Sequence, residues 1–287
     1  MQDILAGLFR KINAHIVTTQ SFIILKILKV TLLLSSVMAA KWRYRRNEEI
    51  LIRDFDKDIA LWINPSRTMG NSIYWIGFHE VKELVFLHRL LTPEMTFVDI
   101  GANQGEYSLF VAKRVPKGKV LSFEPLPSMQ RMFERNVEAN GFKNIQLYRY
   151  GLADKPGSFP IYEIADRHEG LATLYVGKKE VAKEYIVDLK VLDQECKDLK
   201  RLDFIKIDIE GGELPALRGC SALITRFRPW LIVEINEPTY KNAGYSVADV
   251  LNFFTELKYA PYRLDKNIQL VPCPMLPDFG NVIFKPQ

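Results

Sequence analysis

The feature that most constrains the fold is an alternation of short apolar runs with amphipathic segments, which begins at Thr96. The predicted strands cover residues 96–102, 119–125, 145–154, 203–211, 229–236, 260–266 and 281–286, and the predicted helices cover residues 106–114, 128–141, 214–227 and 247–258. Strands that alternate with helices predict an α/β fold with a doubly wound, mostly parallel sheet. Because a loop joins the last two strands, we expect the last one to be antiparallel.

Sequence patterns divide the chain into three parts. These are a basic, apolar helical segment (1–46), a hairpin (50–56 and 59–65) and helix (81–91) within residues 47–92, and the α/β domain (93–287). Residues 155–200 add further strands and a short helix to that domain. For the helix over 128–141, Ser128 is the predicted N-cap and Gly141 the predicted stop.

The net charge of +5 is concentrated near the N-terminus, since residues 1–46 carry eight basic side chains and one acidic side chain. The rest of the chain is slightly acidic, which does not suit binding to a nucleic-acid backbone. Lys26 and Lys29 interrupt the apolar run 21–40, and a lysine near the bilayer centre costs about 2.5 kcal/mol or more. Two interpretations of this run stay open, namely a helix packed on the domain and a helix lying on an anionic membrane. The late position of the charges disfavours a secretory signal.

The cysteines, Cys196, Cys220 and Cys273, are odd in number and form no CxxC pair. This argues against a disulfide framework or a zinc site and favours a reducing compartment. We therefore expect a cytoplasmic protein, with peripheral membrane contact through residues 1–46 as the open alternative.

The segment from Asp99 to Gly105 follows the first core strand and opens a helix. In doubly wound sheets, ligands bind at the carboxyl ends of strands, and glycine lets the backbone approach them closely. Glu124 ends the next strand, 23 residues after Gly101. A carboxylate at that distance can accept hydrogen bonds from both hydroxyls of a ribose. The loop and the acid together predict a site for an adenosine cofactor.

The loop spacing favours S-adenosylmethionine over a nicotinamide dinucleotide. A dinucleotide loop reads G-x-G-x-x-G around a pyrophosphate, whereas Asn103 occupies the middle glycine position here. S-adenosylmethionine has no phosphate, and Asp99 is placed to anchor its ammonium group directly or through the loop. The alternative role for Asp99 is to accept hydrogen bonds from the amides of the turn, because an unpaired buried charge is costly.

The motifs FVDIGANQGEYSL (97–109), FEP (123–125) and FIKIDIEGGE (204–213) resemble those of the FkbM family of class I methyltransferases. The likeness covers about residues 73–236. It implies a Rossmann-like, seven-stranded sheet with an antiparallel last strand, S-adenosylmethionine as donor, and O-methylation of sugars or natural products. It also implies a cofactor site. The candidate residues of this cofactor site, including neighbours of the motif residues, are Asp99, Gly101, Ala102, Asn103, Gly105, Tyr107, Glu124, Pro125, Gly151, Leu152 and Asp208.

Charged and apolar residues alternate along the fourth strand. Because side chains alternate across a strand, Lys206, Asp208 and Glu210 are predicted to lie on one face. A central parallel strand is normally apolar on both faces, so these charges must pair or border a cleft. We predict that Asp208 and Glu210 border the site of methyl transfer and that one of them removes the acceptor proton. The alternative is a structural ion pair with Lys206.

Other candidates carry weaker patterns. Glu234 and Asn236 end the fifth strand with the same alternation and are candidate substrate contacts. His79 is a candidate base or substrate ligand, with a surface or capping role as the alternative. Tyr107 also fits a packing role. The histidines lack the spacing of metal ligands, and we predict no metal site.

The sequence thus predicts an S-adenosylmethionine-dependent methyltransferase that acts on a hydroxyl of a small molecule or glycan, with no nucleic-acid partner. The alternatives are a nicotinamide-dependent oxidoreductase and a non-catalytic, membrane-tethered adenosine-binding module. A base methyltransferase is disfavoured because Asp208-Ile209-Glu210-Gly211 stands where an Asn/Asp-Pro-Pro-aromatic run would follow strand four.

Overall fold

The computed structural model describes residues 2–18, 34, 47–165, 170–178 and 180–287. Apart from Leu34, the apolar run 21–40 lies outside the described residues. Both interpretations of this run, a helix packed on the domain and a helix lying on a membrane, therefore stay predictions. Over the described ranges, no helix has both the length and the apolar composition needed to cross a bilayer.

Fourteen strands are present in the described residues. They are β1 (Ile50–Phe55), β2 (Ile59–Ile63), β3 (Thr96–Ile100), β4 (Lys119–Phe123), β5 (Ile145–Tyr148), β6 (Gly151–Leu152), β7 (Gly157–Ile164), β8 (Ala172–Thr173), β9 (Val181–Lys190), β10 (Phe204–Ile207), β11 (Trp230–Asn236), β12 (Tyr259–Leu264), β13 (Leu270–Pro272) and β14 (Phe279–Pro286).

The same residues contain ten continuous helices. They are α1 (Gln2–Thr18), α2 (Thr68–Ile76), α3 (Val81–Leu90), α4 (Glu106–Arg114), α5 (Pro127–Asn140), α6 (Leu192–Glu195), α7 (Glu213–Arg218), α8 (Ser221–Phe227), α9 (Glu237–Ala243) and α10 (Val247–Glu256).

The main sheet has the strand order β13-β12-β14-β11-β10-β3-β4-β5. The central pairs between β11 and β5 are parallel, and β14 pairs antiparallel with both β11 and β12. The predicted doubly wound, mostly parallel sheet with an antiparallel last strand is confirmed. Seven strands correspond to the predicted set, and β13 adds an eighth through an antiparallel pair with β12 that the sequence analysis did not anticipate.

The central strands divide the core into two layers. All residues of β3 and β10 are buried. Phe97 on β3 stacks on Phe204 on β10 in one layer, with the ring centroids 6.3 Å apart. Val98 and Ile100 point to the other layer, which also holds Ile207. This alternation explains why the strands are apolar at most positions, because both faces of the sheet are covered.

Several predicted boundaries are wrong for identifiable reasons. Ser128 is not the N-cap of α5, because the helix starts one residue earlier with Pro127 at its first position and Leu126 as the cap. Proline suits that position, since the amide it lacks has no partner in the first turn. Gly141 does end the helix, with φ +66°. The predicted helix over 214–227 is divided into α7 and α8 around Gly219, which packs against the backbone of Ala153.

The residues after the third core strand form a separate small sheet. The predicted strand 145–154 ends at Tyr148, and Gly151–Leu152 pairs instead with β9. The order of this second sheet is β6-β9-β7-β8, which confirms the extra strands expected over 155–200. Residues of β7 and of the segment after it lie over the carboxyl ends of the main strands.

The predicted hairpin is confirmed as β1 and β2, and its turn is fixed to α4 by a buried ion pair. The Asp56 carboxylate is fully buried and accepts hydrogen bonds of 2.6 and 3.0 Å from the Arg114 guanidinium. We expect Asp56→Asn to lower the free energy of unfolding by about 2 kcal/mol, because the buried guanidinium loses its counter-charge. Denaturant unfolding followed by circular dichroism measures the change.

Asp58 provides a matched control for this prediction. It pairs with Lys113 in the same turn, but its side chain is 73% exposed. Exposed ion pairs contribute about 0–1 kcal/mol, so Asp58→Asn should have little effect. Equal losses in the two variants would contradict the assignment of the anchor to Asp56.

Candidate functional site

A cavity of about 790 Å³ opens at the carboxyl ends of β3, β4, β10 and β11. Most of the predicted site residues line it. These are Asp99, Gly101, Ala102, Asn103, Tyr107, Glu124, Pro125, Asp208 and Glu210, together with His79, Glu234 and Asn236. The sheet brings them together because neighbouring parallel strands end at the same edge.

Gly101 lies where the loop after β3 crosses the end of β10. A Cβ atom on Gly101 would lie 2.0 Å from the carbonyl oxygen of Asp208, and its φ of +80° favours glycine. The amides of Gly101 and Ala102 donate to the carbonyl of Phe123 at 3.0 and 3.1 Å. The loop is therefore held between β4 and β10, with its backbone against the cavity.

Glu124 organises this loop. Its carboxylate accepts hydrogen bonds of 2.8 Å from the backbone amides of Asn103 and Leu126. Burial of the side chain raises its pKa to about 7, although both hydrogen bonds favour the charged form. Glu124 thus lies at the predicted end of its strand and lines the cavity.

Asp99 does not bind the amides of the turn, so the alternative role considered for it is wrong. Its Oδ2 atom accepts a hydrogen bond of 2.6 Å from the Ser108 hydroxyl. Its Oδ1 atom is buried and has no hydrogen-bond partner in the described residues. Burial raises the pKa of Asp99, and the nearby Lys206 opposes that shift. An unmatched carboxylate oxygen beside a cavity suits a bound donor group such as an ammonium.

Lys206 and Asp208 form an ion pair at the centre of the cavity, with Nζ 3.3 Å from Oδ2. The Lys206 ammonium also donates to the carbonyl of Gly101 at 3.3 Å and lies 5.1 Å from the centroid of the Tyr107 ring. Burial opposes the charge on Lys206, but the carboxylates of Asp208 and Asp99 outweigh it and raise the pKa. The ion-pair alternative for this strand therefore coexists with a cavity-lining position for Asp208.

The prediction that Glu210 shares a strand face with Lys206 is wrong. β10 ends at Ile207, and Glu210 lies in a turn with φ +53°. Glu213 holds this turn, since its carboxylate accepts from the amides of Ile209 and Gly211 at 2.9 Å. The turn nevertheless brings Glu210 to the cavity wall.

Three predicted cofactor residues do not line the cavity. Gly105 is the N-cap of α4, and a Cβ there would face the ring of Phe133. Gly151 and Leu152 are buried in β6, where Gly151 packs against Leu189. The small second sheet draws these two residues away, so the wall beyond Pro125 is formed by Ile161, Ile164 and residues 170–172 instead.

Three acids that were not predicted from the sequence also line the cavity, namely Glu80, Glu106 and Glu180. Glu80 accepts hydrogen bonds of 2.5 Å from the Tyr107 hydroxyl and from Nδ2 of Asn281. Glu106 accepts from the amide of His79 at 2.7 Å, and its burial raises its pKa to about 8. Glu106 opens a helix and Glu80 precedes one, positions where acids are common for helix stability alone. The sequence positions of Glu80 and Glu106 therefore gave no indication that these acids line the cavity.

Acidic side chains dominate the lining of the cavity. Eight aspartate and glutamate side chains line it, whereas Lys206 is the one lysine or arginine among the lining residues in the described part of the chain. The carboxylates are Glu80, Asp99, Glu106, Glu124, Glu180, Asp208, Glu210 and Glu234. In a site of reduced dielectric constant, this distribution favours a cationic ligand and opposes a polyphosphate.

The sheet order defines a Rossmann-like α/β domain, which carries a glycine loop and an acid on the adjacent strand at the edge of its cavity. Residues 99–261 match the methyltransferase FkbM domain, and the chain belongs to the FkbM methyltransferase family. The family resemblance expected from the sequence motifs is confirmed.

Individual relatives are more distant. The chain is 31% identical over 148 residues to Methyltransferase 1 of Beauveria bassiana, and the alignment covers 44% of this chain and 59% of the relative. It is 28% identical over 167 residues to the hexuronic acid methyltransferase AglP of Haloferax volcanii, covering 56% of this chain and 61% of the relative. The chain thus spans about three fifths of the length of these relatives. The structure of an FkbM methyltransferase from Methylobacillus flagellatus aligns with 17% identity and a TM-score of 0.47, covering 75% of this chain and 52% of the other.

Proposed function

We propose that this protein transfers a methyl group from S-adenosylmethionine to a hydroxyl of a small molecule or glycan. The observation that carries the proposal is the unpaired, buried Oδ1 atom of Asp99 beside a glycine-lined loop and the buried carboxylate of Glu124. Family membership supports a methyl donor, and the name of AglP, a hexuronic acid methyltransferase, supports a sugar-type acceptor without fixing the charge of that acceptor in this protein.

The residues fit this donor. The Asp99 carboxylate suits the donor's ammonium, and Glu124 keeps lone pairs for ribose hydroxyls besides those used by the Asn103 and Leu126 amides. Gly101 lets the loop pack directly against the end of β10, and Gly101, Ala102 and Asn103 line the cavity. The carboxylate-rich wall favours the cationic sulfonium, whereas it would repel the pyrophosphate of a nicotinamide dinucleotide.

When bound, S-adenosylmethionine supplies a sulfonium methyl, which bonds to the acceptor oxygen while the electron pair of the broken bond stays on sulfur. Asp208 or Glu210 accepts the proton that the acceptor hydroxyl releases. Lys206 holds the Asp208 carboxylate in place at 3.3 Å. The loop and the cavity walls orient the two reactants in line.

We expect the affinity for S-adenosylmethionine to rise about eightfold from about pH 6 to about pH 7.5. The pKa of Glu124 is about 7 in the free protein, so the carboxyl is mostly neutral at the lower pH and mostly ionised at the higher one. The ionised form accepts ribose hydroxyls better and attracts the cation. The donor's amino group stays largely protonated over this range. Isothermal titration calorimetry at both pH values gives the two dissociation constants.

Two controls make this result specific. Glu124→Gln keeps the shape of the side chain but cannot ionise, so its affinity should be lower and should depend less on pH. A parallel titration with NAD should give no binding. If NAD binds and S-adenosylmethionine does not, the proposed function is wrong.

A further inference from the structure

The cavity continues beyond Asp208 to side chains on β11 and β14. Glu234 lies opposite Asn281, and Asn236 lies opposite Phe279, in the antiparallel register of these strands. Opposed residues on neighbouring strands share a face of the sheet, and all four line the cavity. We name these four residues the acceptor end.

The acceptor end lies at a suitable distance from the donor residues. Asp99 and Glu124 follow β3 and β4, and the strands from β4 to β14 are separated by four spacings in the order β4-β3-β10-β11-β14. At about 4.8 Å for each spacing, the outer strands lie about 19 Å apart. A donor over β3 and β4 therefore leaves room for a second molecule over β11 and β14, with Asp208 on β10's loop between them.

The hydrogen-bonding groups at this end suit hydroxyls. The Oε2 atom of Glu234 is buried and has no hydrogen-bond partner in the part of the chain that the structure describes. Burial and the charge of Asp208 raise the pKa of Glu234 well above its usual range, so the group keeps its proton at neutral pH and can both donate and accept. Asn281 donates through Nδ2 to Glu80, which orients its oxygen as an acceptor.

Phe279 adds an apolar surface at the mouth. Its side chain is 63% exposed although it lines the cavity. An aromatic ring left open to solvent can stack against the C–H groups of a saturated ring, because its face carries partial negative charge. Such a ring presents hydroxyls at its edge, towards Asn236 and Glu234 on the neighbouring strand β11.

Charge limits what can enter. Glu80, Asp208 and Glu210 line the cavity next to the acceptor end, and Lys206 is already paired with Asp208. A carboxylate or phosphate on the acceptor would meet these like charges where solvent screening is reduced.

From this arrangement we propose that the acceptor end binds an uncharged, hydroxyl-bearing ring that stacks on Phe279 and hydrogen-bonds to Glu234, and that it excludes rings bearing a carboxylate or phosphate. This inference rests on the proposed methyltransferase function, because it assigns the substrate class of the same cavity.

The test compares two probes that differ only at C6, methyl β-D-glucoside with its neutral hydroxymethyl group and methyl β-D-glucuronide with a carboxylate, by saturation-transfer NMR titration in the presence of S-adenosylhomocysteine. We expect the neutral glycoside to bind at least about tenfold more tightly than the glucuronide. Phe279→Ala should weaken binding of the neutral glycoside about fivefold and leave S-adenosylmethionine affinity unchanged. Met275→Ala is the matched control, because Met275 is 84% exposed and does not line the cavity.

Equal or tighter binding of the glucuronide overturns the inference, and so does unchanged glycoside binding in Phe279→Ala. The same conclusion follows if neither probe binds to protein that does bind S-adenosylmethionine. Failure of S-adenosylmethionine itself to bind would instead overturn the proposed function, so the two failures are distinguishable.

Discussion

Replacing Asp208 with asparagine is expected to lower the rate of methyl transfer by about 100-fold or more, with less than about a tenfold change in donor affinity. The amide keeps the size of the side chain, which is 32% exposed beside Lys206. It cannot accept the acceptor's proton, and it removes the counter-charge that holds the ammonium of Lys206. The initial rate of transfer of an isotopically labelled methyl group into the small-molecule fraction of a cell extract measures the effect.

Glu210→Gln distinguishes between the two candidate bases. The variant with the greater loss of rate identifies the group that removes the proton. Asp203→Asn is the control on the same segment, because Asp203 lies before the opposite end of β10 and binds the amide of Thr96 outside the cavity. Wild-type rates in both Asp208→Asn and Glu210→Gln would show that neither carboxylate takes part in the chemistry.

Gly101→Ala is expected to lower the free energy of unfolding by about 4 kcal/mol and to abolish detectable binding of S-adenosylmethionine. The added Cβ would lie 2.0 Å from the Asp208 carbonyl oxygen and 2.8 Å from Cγ2 of Ile209, at a φ of +80°. Relief of this overlap must separate the ends of β3 and β10, where both the loop after β3 and Asp208 are held. Guanidinium unfolding and calorimetry provide the two measurements.

Gly141 allows the steric contribution to be separated from the backbone contribution. Its φ of +66° is also left-handed, but no atom lies within 4 Å of a Cβ built there. Gly141→Ala should therefore cost only about 1 kcal/mol and leave donor binding intact. Similar losses of stability in the two variants would mean that the close approach of β3 to β10 is not what requires glycine at position 101.

The two sets of variants address different properties of the same junction. Glycine at position 101 lets the ends of β3 and β10 approach each other. This approach brings the carboxylate of Asp208 to the loop after β3. The Lys206 ammonium joins them, since it contacts both the Asp208 carboxylate and the Gly101 carbonyl. In the proposed mechanism, binding of the donor and removal of the proton would therefore both depend on one short segment of backbone.

The sequence by itself determined the parallel core of the protein and the loop that follows β3. Strands buried on both faces, such as Val120–Phe123 in β4 and Phe204–Ile207 in β10, are apolar at most positions, with Ser122 and Lys206 as the exceptions, and that pattern is visible in the residue order. The same holds for Gly101 and Glu124, whose positions at strand ends follow from the strands themselves. Local patterns were sufficient here because each constraint acts within a single element.

Only the tertiary structure decided which polar side chains share the cavity. Glu80 and Asn281 are 201 positions apart and form a hydrogen bond, and no local pattern links them. Gly151 and Leu152 continue the third strand in sequence, but pairing with β9 removes them from the cavity. Long-range pairing and the termination of β10 at Ile207 depend on packing between elements, so the distribution of charge in the site could not be derived from the order of residues alone.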